Sequence, residues 1–98
     1  MTNNKTIGID YTDQQLRVLV EEYIIQQRSS FTLEGVCNYV LYWAMEEGQT
    51  TLAGVALYES NKLAPADCNR VSRVLDNIIQ EGRIVAYDRG GLFEKMIN

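Results

Sequence analysis

The clearest hydrophobic pattern in the chain lies in its last third, from Ala64 to Met96. Gly82 interrupts it as a predicted helix stop, because glycine accepts the left-handed conformation that ends many helices. Beyond Gly82, two apolar runs flank the turn-forming residues 88–91, as in a β-hairpin. Before Gly82, apolar residues recur at the spacing of one helical face, at Val71, Val74, Leu75, Ile78 and Ile79. The pattern predicts a helix, a sharp stop and a hairpin.

An earlier amphipathic helix is predicted to begin after Thr12. Thr12 and Gln15 have the spacing of a capping box, and Tyr11 is placed to pack on Leu16. Residues 1–10 lack sustained periodicity and are expected to form a loose arm, although Ile7 and Ile9 alternate as in a short strand. The inward stripe of the helix is Leu16, Leu19, Val20, Tyr23 and Ile24, whereas Val18 and Ile25 lie off it. Off-stripe apolar residues are weak indications of a partner surface and more often have no role.

The second helix, Leu33–Glu47, is apolar over nearly its whole circumference. Phe31 and Thr32 before it fit a short strand that joins the later hairpin, and Thr32 also suits the helix cap. A helix apolar all round is buried on more than one side, against either the rest of the chain or another subunit. Aromatic residues are enriched at binding hot spots, which favours a homodimer with an interface at Tyr39, Tyr42 and Trp43.

The connection after the second helix is ambiguous. Residues 51–60 keep some helical spacing, but Gly54 lowers helix propensity, so a short helix or ordered turn is favoured over an extended segment. Pro65 then suits the first turn of the third helix. No linker-like or repetitive tract interrupts the sequence, so one α+β, mostly α domain is predicted over residues 1–98.

This order of helix, strand, helix, connection, helix and hairpin resembles the winged helix-turn-helix family over residues 12–97. The most specific segment is Asn69–Ile84, which is similar to the family's recognition helix and its run into the wing. The resemblance implies a small prokaryotic or phage-type transcriptional regulator that places its third helix in the major groove of duplex DNA and its wing on the backbone or in the minor groove. It implies DNA contacts at Asn69, Arg70, Arg73, Asn77, Arg83, Arg89 and Lys95.

Charge changes this picture. The chain carries nine Lys and Arg against thirteen Asp and Glu, a net charge of −4. Residues 61–98 hold six of the basic residues and five of the acidic ones, so the positive surplus lies where the resemblance needs it but is small. Phosphate contacts supply much of the affinity for DNA, so weak binding per monomer is expected, and a dimer would double the contacts. Alternatively, Arg73 with Asp76 or Asn77, and Arg70 with Asp67, form solvated surface pairs.

Two function classes therefore stay open: a DNA-binding regulator, which the position of the basic residues favours, and a winged-helix module that binds only protein. An enzyme is not expected, because the chain has no histidine and no recognisable nucleophile or phosphate-binding motif. No cofactor or metal is expected either. Cys37 and Cys68 are far apart and suit buried, unpaired positions, with a disulfide or redox role as the less favoured reading. No apolar run is long enough to cross a bilayer, and the polar start suggests a cytoplasmic protein.

Overall fold

Three helices form most of the structure, a computed structural model that describes residues 6–28, 30–51, 62–86 and 92–95. The fold is α+β and mostly helical, as predicted. The helices are α1 (Asp13–Gln26), α2 (Leu33–Glu46) and α3 (Pro65–Gln80). The strands are β1 (Thr6–Ile7), β2 (Ser30–Thr32), β3 (Lys62–Leu63), β4 (Ile84–Ala86) and β5 (Leu92–Lys95).

Helix α1 begins with the predicted capping box. The Gln15 N–H donates to Thr12 Oγ1 at 3.1 Å, and the Thr12 N–H donates to Gln15 Oε1 at 2.9 Å. Because both backbone donors at the helix start are satisfied, the capping box fixes where the chain turns into the helix. The predicted stripe faces the core: Leu16, Leu19, Val20 and Ile24 are buried, and Tyr23 is half-buried.

Helix α2 is capped by Thr32, whose Oγ1 accepts the Gly35 N–H at 3.0 Å, as predicted. Its inner face buries Val36, Cys37, Val40, Leu41 and Ala44. The opposite side is not covered: Tyr42 is 48% exposed and Trp43 is 37% exposed. The described residues therefore do not bury a second side of α2, and its burial against another subunit stays a prediction.

Helix α3 forms where the clearest apolar pattern in the sequence predicts a helix. It starts at Pro65 and ends before Gly82, which has the predicted positive φ of 78°. Four residues of the predicted stripe are buried and Ile79 is half-buried. Beyond Pro65 and Ala66 in its first turn, the exposed residues of this helix are polar, so it is amphipathic.

A three-stranded antiparallel sheet has the order β2-β5-β4. Phe31 in β2 pairs with Phe93 in β5, and their rings stack at 5.4 Å between centroids. The short strand expected near Phe31 and its pairing with the hairpin strands are both confirmed. Residues 87–91 at the predicted hairpin turn, including Arg89, lie outside the described residues, as do residues 52–61 of the ambiguous connection.

Residues 6–10 do not form the loose arm expected from their sequence. Strand β1 pairs in parallel with β3, Thr6 opposite Lys62 and Ile7 opposite Leu63. Ile7 and Ile9 are buried, as is Tyr11 just after them. The loose arm is therefore wrong for residues 6–10, whereas the short strand suggested by the alternation of Ile7 and Ile9 does form. The alternation alone could not decide between them, because the strand's partner comes from a distant part of the chain.

Candidate interaction surfaces

The outer face of α3 holds the polar residues that the sequence places there. Asn69, Arg73 and Asn77 are exposed at successive turns of the helix, beside the exposed Asp76 and Gln80. Arg73 makes no ion pair or hydrogen bond with another described residue, so the predicted surface pair with Asp76 or Asn77 does not form. This face therefore offers one uncompensated cation.

Arg70 is turned away from that face and into a polar network. Its Nη1 lies 2.9 Å from Asp67 Oδ1, its Nη2 donates to the Tyr11 carbonyl oxygen at 2.6 Å, and its Nε contacts Asp13 Oδ1 at 3.1 Å. Asp67 is itself buried, and its Oδ2 accepts the Ile9 N–H at 3.1 Å. Burial lowers the Arg70 pKa, but the two carboxylates outweigh burial and raise it. The Arg70–Asp67 pair considered as an alternative thus forms, but it is partly buried and not a solvated surface pair.

Arg83 belongs to a second network, which joins α1 to the end of α3. Its Nη1 lies 2.5 Å from Glu21 Oε2, and Arg17 connects Glu21 at 3.2 Å with Glu81 at 2.6 Å. The hydrogen bond from Arg83 lowers the pKa of Glu21, and the one from Arg17 lowers the pKa of Glu81. The charge of Arg83 is therefore largely compensated within the protein.

Lys95 ties strand β5 to the end of α1. Its Nζ donates to the carbonyl oxygens of Gln27 at 2.9 Å and Ile25 at 3.4 Å. A cation at the carboxyl end of a helix satisfies carbonyl groups that lack a partner within the helix and interacts favourably with the helix dipole. Of the seven residues implied as DNA contacts, Arg70, Arg83 and Lys95 thus already have internal partners.

A surface groove of about 320 Å³ lies between α1 and α2. We call it the α1–α2 groove. It has an apolar part and a polar edge, and it is lined by Tyr11, Gln15, Val18, Leu19, Glu22, Trp43 and Glu47. Val18 is 51% exposed, although it is an apolar residue. The Tyr11 hydroxyl donates to the Glu47 carboxylate. Burial is the larger cause of a raised Tyr11 pKa, and the hydrogen bond and negative charge of Glu47 add to it, so the phenol stays protonated.

The residues predicted at a dimer interface lie beside this groove but differ in exposure. Tyr39 is half-buried, with its ring 5.1 Å from that of Tyr23 between centroids, and its hydroxyl accepts a hydrogen bond from Gln26. Tyr42 and Trp43 are exposed and meet edge to face at 5.5 Å. Tyr39 thus contributes to the packing of α1 on α2, whereas Tyr42 and Trp43 are available to a partner.

Sequence reasoning found the apolar side of the groove but not its acidic edge. The off-stripe position of Val18 and the excess of apolar residues on α2 were visible signals. Glu22 is on α1 and Glu47 lies just beyond the end of α2, so they lie at one groove only because α1 packs on α2. No local pattern in the sequence could show that arrangement.

Cys37 and Cys68 line a second depression, of about 300 Å³, between α2 and α3. Both thiols are free, as predicted. Burial, reinforced by Cys68, raises the Cys37 pKa to about 12, so this sulfur stays a thiol. Because the thiolate is the reactive form, Cys37 has the character of a small buried apolar residue.

Comparisons with protein-family models, with curated proteins and with solved structures found no match. In the described part of the chain, none of the three helices is long and apolar enough to cross a membrane.

Proposed function

We propose that this protein is a winged-helix domain that acts by binding another protein at the α1–α2 groove. The winged-helix assignment is supported by the order α1, β2, α2, β3, α3, β4, β5 and by a sheet in which β5 lies between β2 and β4. Winged-helix proteins include both DNA readers and protein adaptors, so the function has to be argued from the exposed residues and the charge of the surface. The observation that carries the proposal is the exposure of Val18 and Trp43 in one concave groove.

Single apolar side chains on a surface are common and carry no meaning on their own. Here, apolar side chains from two helices line the same depression, and Tyr42 extends the exposed aromatic surface next to it. Tryptophan and tyrosine are enriched among residues that dominate binding energy, especially where a partner can exclude water from them. The arrangement supports a protein partner.

The charge distribution supports protein rather than DNA. Affinity for duplex DNA depends on cations that neutralise phosphates and release counterions. Arg70, Arg83 and Lys95 already contact carboxylates or backbone carbonyls, and a DNA contact would have to compete with those interactions. With a net charge of −4 on the chain, the long-range field also opposes association with a polyanion.

Quantitative affinity purification with the tagged full chain tests the proposal. Val18→Ser removes apolar surface from the groove, and Val85→Ser is a matched control because Val85 is an exposed valine on β4. We expect proteins recovered with the wild type and Val85→Ser to be depleted with Val18→Ser. Trp43→Ala is expected to weaken recovery further, by roughly thirtyfold if Trp43 is a hot spot. Equal recovery with all four chains, each shown to be folded, would contradict the proposal.

DNA binding through α3 is the second candidate, because Asn69, Arg73 and Asn77 are exposed together on one helix face. Arginine and asparagine can each make paired hydrogen bonds to base edges. Fluorescence anisotropy with a labelled random duplex of about 20 base pairs, at about 50 and 200 mM salt, separates the candidates. Protein binding as the main function predicts no saturable signal. Binding that weakens with salt and with Arg73→Ala would instead establish the DNA function.

A further inference from the structure

We propose that the occupant of the α1–α2 groove is a basic amphipathic helix of the partner protein, an inference that rests on the proposed function. Its apolar side chains would contact Val18 and Trp43, and its lysine or arginine side chains would lie against Glu22 and Glu47. The inference adds the chemistry and the secondary structure of the partner segment, which the exposure of the groove alone does not specify.

The interior of the groove suits apolar side chains. Leu19 is buried and lines the groove, and Val18 and Trp43 line it with partly exposed side chains. Its volume of about 320 Å³ is at the lower end of the range of ligand pockets. A depression of this size takes side chains inserted from above rather than a flat protein surface laid across it.

The edge of the groove is acidic. Glu22 and Glu47 are exposed, and the described residues that line the groove include no lysine or arginine. The Tyr11 hydroxyl holds the Glu47 carboxylate in place, but a neutral phenol does not compensate its charge. Glu22 forms no ion pair with another described residue. Charge complementarity therefore selects a cationic segment.

A helix fits this groove better than an extended segment does. Extended peptides bind by adding a strand to an open sheet edge, where main-chain hydrogen bonds supply affinity. The α1–α2 groove is walled by side chains of two helices, whose backbone groups are already paired within each helix. Recognition through an apolar helical face with charged flanks needs no backbone partner. A second copy of this chain bound groove to groove would instead place Glu22 and Glu47 against an equally acidic edge.

Peptide titration into the full chain tests this assignment. Three helical peptides of about fifteen residues share a leucine face and differ only in their polar face, which carries lysine, glutamine or glutamate. A fourth peptide scrambles the lysine version so that no apolar face forms. Trp43 is the only tryptophan in the chain, so its fluorescence reports occupancy of the groove directly. We expect the leucine–lysine amphipathic peptide to shift the emission with the highest affinity of the four, and its affinity to fall as salt rises.

Surface variants locate the contact. Glu22→Gln is expected to weaken binding of the leucine–lysine peptide about two- to fivefold, the range for one exposed ion pair. Asp76→Asn changes the net charge equally on the outer face of α3 and is expected to leave binding unchanged. Val18→Ser is expected to weaken binding as well, whereas Val85→Ser is expected to have no effect.

The outcomes separate this inference from the function on which it rests. Equal binding of the glutamine and lysine peptides, or equal effects of Glu22→Gln and Asp76→Asn, would overturn the cationic assignment. A Trp43 emission that responds to none of the peptides would overturn the inference as a whole. In each case, loss of partner recovery with Val18→Ser would still uphold protein binding at the groove, and only unchanged recovery would overturn the proposed function.

Discussion

Asp67 is buried, although its place in the first turn of α3 would suggest a carboxylate at the surface. An acidic residue in the first turn of a helix usually interacts with the helix dipole at the surface. Here one oxygen of the buried carboxylate accepts the Ile9 N–H and the other accepts a hydrogen bond from Arg70. Arg70 extends the network to Asp13. These polar contacts hold residues 9–13 against the start of α3.

We expect Asp67→Ala to destabilise the protein by about 2–3 kcal/mol. The substitution leaves Arg70 short of a carboxylate and the Ile9 N–H without an acceptor, and breaking a buried ion pair is costly because one charge stays behind. Because Arg70 keeps Asp13 as a partner, the loss is smaller than for a fully buried pair. Urea unfolding measures it, with Asp76→Ala as control on the exposed face of α3. Equal effects of the two substitutions would contradict the role given to Asp67.

Gly82 has a left-handed backbone conformation, and two substitutions test how much that conformation matters for stability. Its φ of 78° lies in the left-handed region, and a Cβ there would meet no atom of the described residues within 4 Å, its two chain neighbours aside. Only the backbone conformation therefore opposes a side chain. We expect Gly82→Ala to lower the free energy of unfolding by about 1 kcal/mol and Gly82→Asn to lower it less, because asparagine tolerates this region better. An asparagine variant less stable than the alanine variant in thermal unfolding would contradict this.

At the scale of elements, two ion networks and one lysine connect parts of the chain that are distant in sequence. Arg17 and Glu21 on α1 contact Arg83 and Glu81 just beyond α3. Lys95 on β5 contacts the end of α1. Arg70, Arg83 and Lys95, three of the cations that the winged-helix resemblance assigns to DNA, thus have a structural role in this chain.

The Glu21–Arg83 contact predicts a pH dependence. Arg83 holds the Glu21 pKa below its ordinary value in the folded protein. Its contribution is therefore complete above the ordinary carboxylate pKa of about 4.3 and is lost as pH falls through the lowered folded value. We expect Glu21→Gln to lower the free energy of unfolding by up to about 1 kcal/mol at pH 7, since the pair is partly exposed. The stability of this variant should also fall less steeply with decreasing pH than that of the wild type.

Urea unfolding at a series of pH values between about 7 and 2 measures this difference. Glu22→Gln is the matched control, because Glu22 lies next to Glu21 on the same helix but forms no ion pair with a described residue. It should follow the wild-type pH profile. A Glu22→Gln profile that flattens as much as that of Glu21→Gln would show that the effect comes from general charge and not from Arg83.

Local signals in the sequence predicted the elements well. The Thr12 and Thr32 caps, the α3 stripe and the Gly82 stop each depend on residues within a few positions of one another. The β1–β3 pairing and the burial of Asp67 depend on residues far apart in sequence. The same is true of the acidic edge of the α1–α2 groove, so its chemistry became visible only once α1 was packed on α2.

At the scale of the whole molecule, the arrangement of charge distinguishes two faces. The α1–α2 groove is apolar with an acidic edge, and the outer face of α3 carries one unpaired arginine among the described residues. The cytoplasmic location and the homodimer expected from the sequence stay predictions. A homodimer through Tyr42 and Trp43 would bring two acidic grooves close together.

This proximity predicts an unusual salt response for any dimer formed there. Salt screens the repulsion between like charges, so the dimer fraction should rise between about 50 and 500 mM sodium chloride. Trp43→Ala should lower the fraction at both concentrations. Sedimentation velocity measures it. A dimer that weakens with salt, or that Trp43→Ala leaves unchanged, would place the interface elsewhere on the molecule.

The most direct test of the account is hydrogen exchange on the full chain, free and bound to a partner recovered by affinity purification. Binding slows the exchange of amides whose local opening it suppresses. We predict added protection in the middle of α1 and in the last two turns of α2, which contribute Val18, Glu22 and Trp43 to the groove. Protection confined to α3 and the β4–β5 strands, with α1 and α2 unchanged, would contradict binding at the α1–α2 groove.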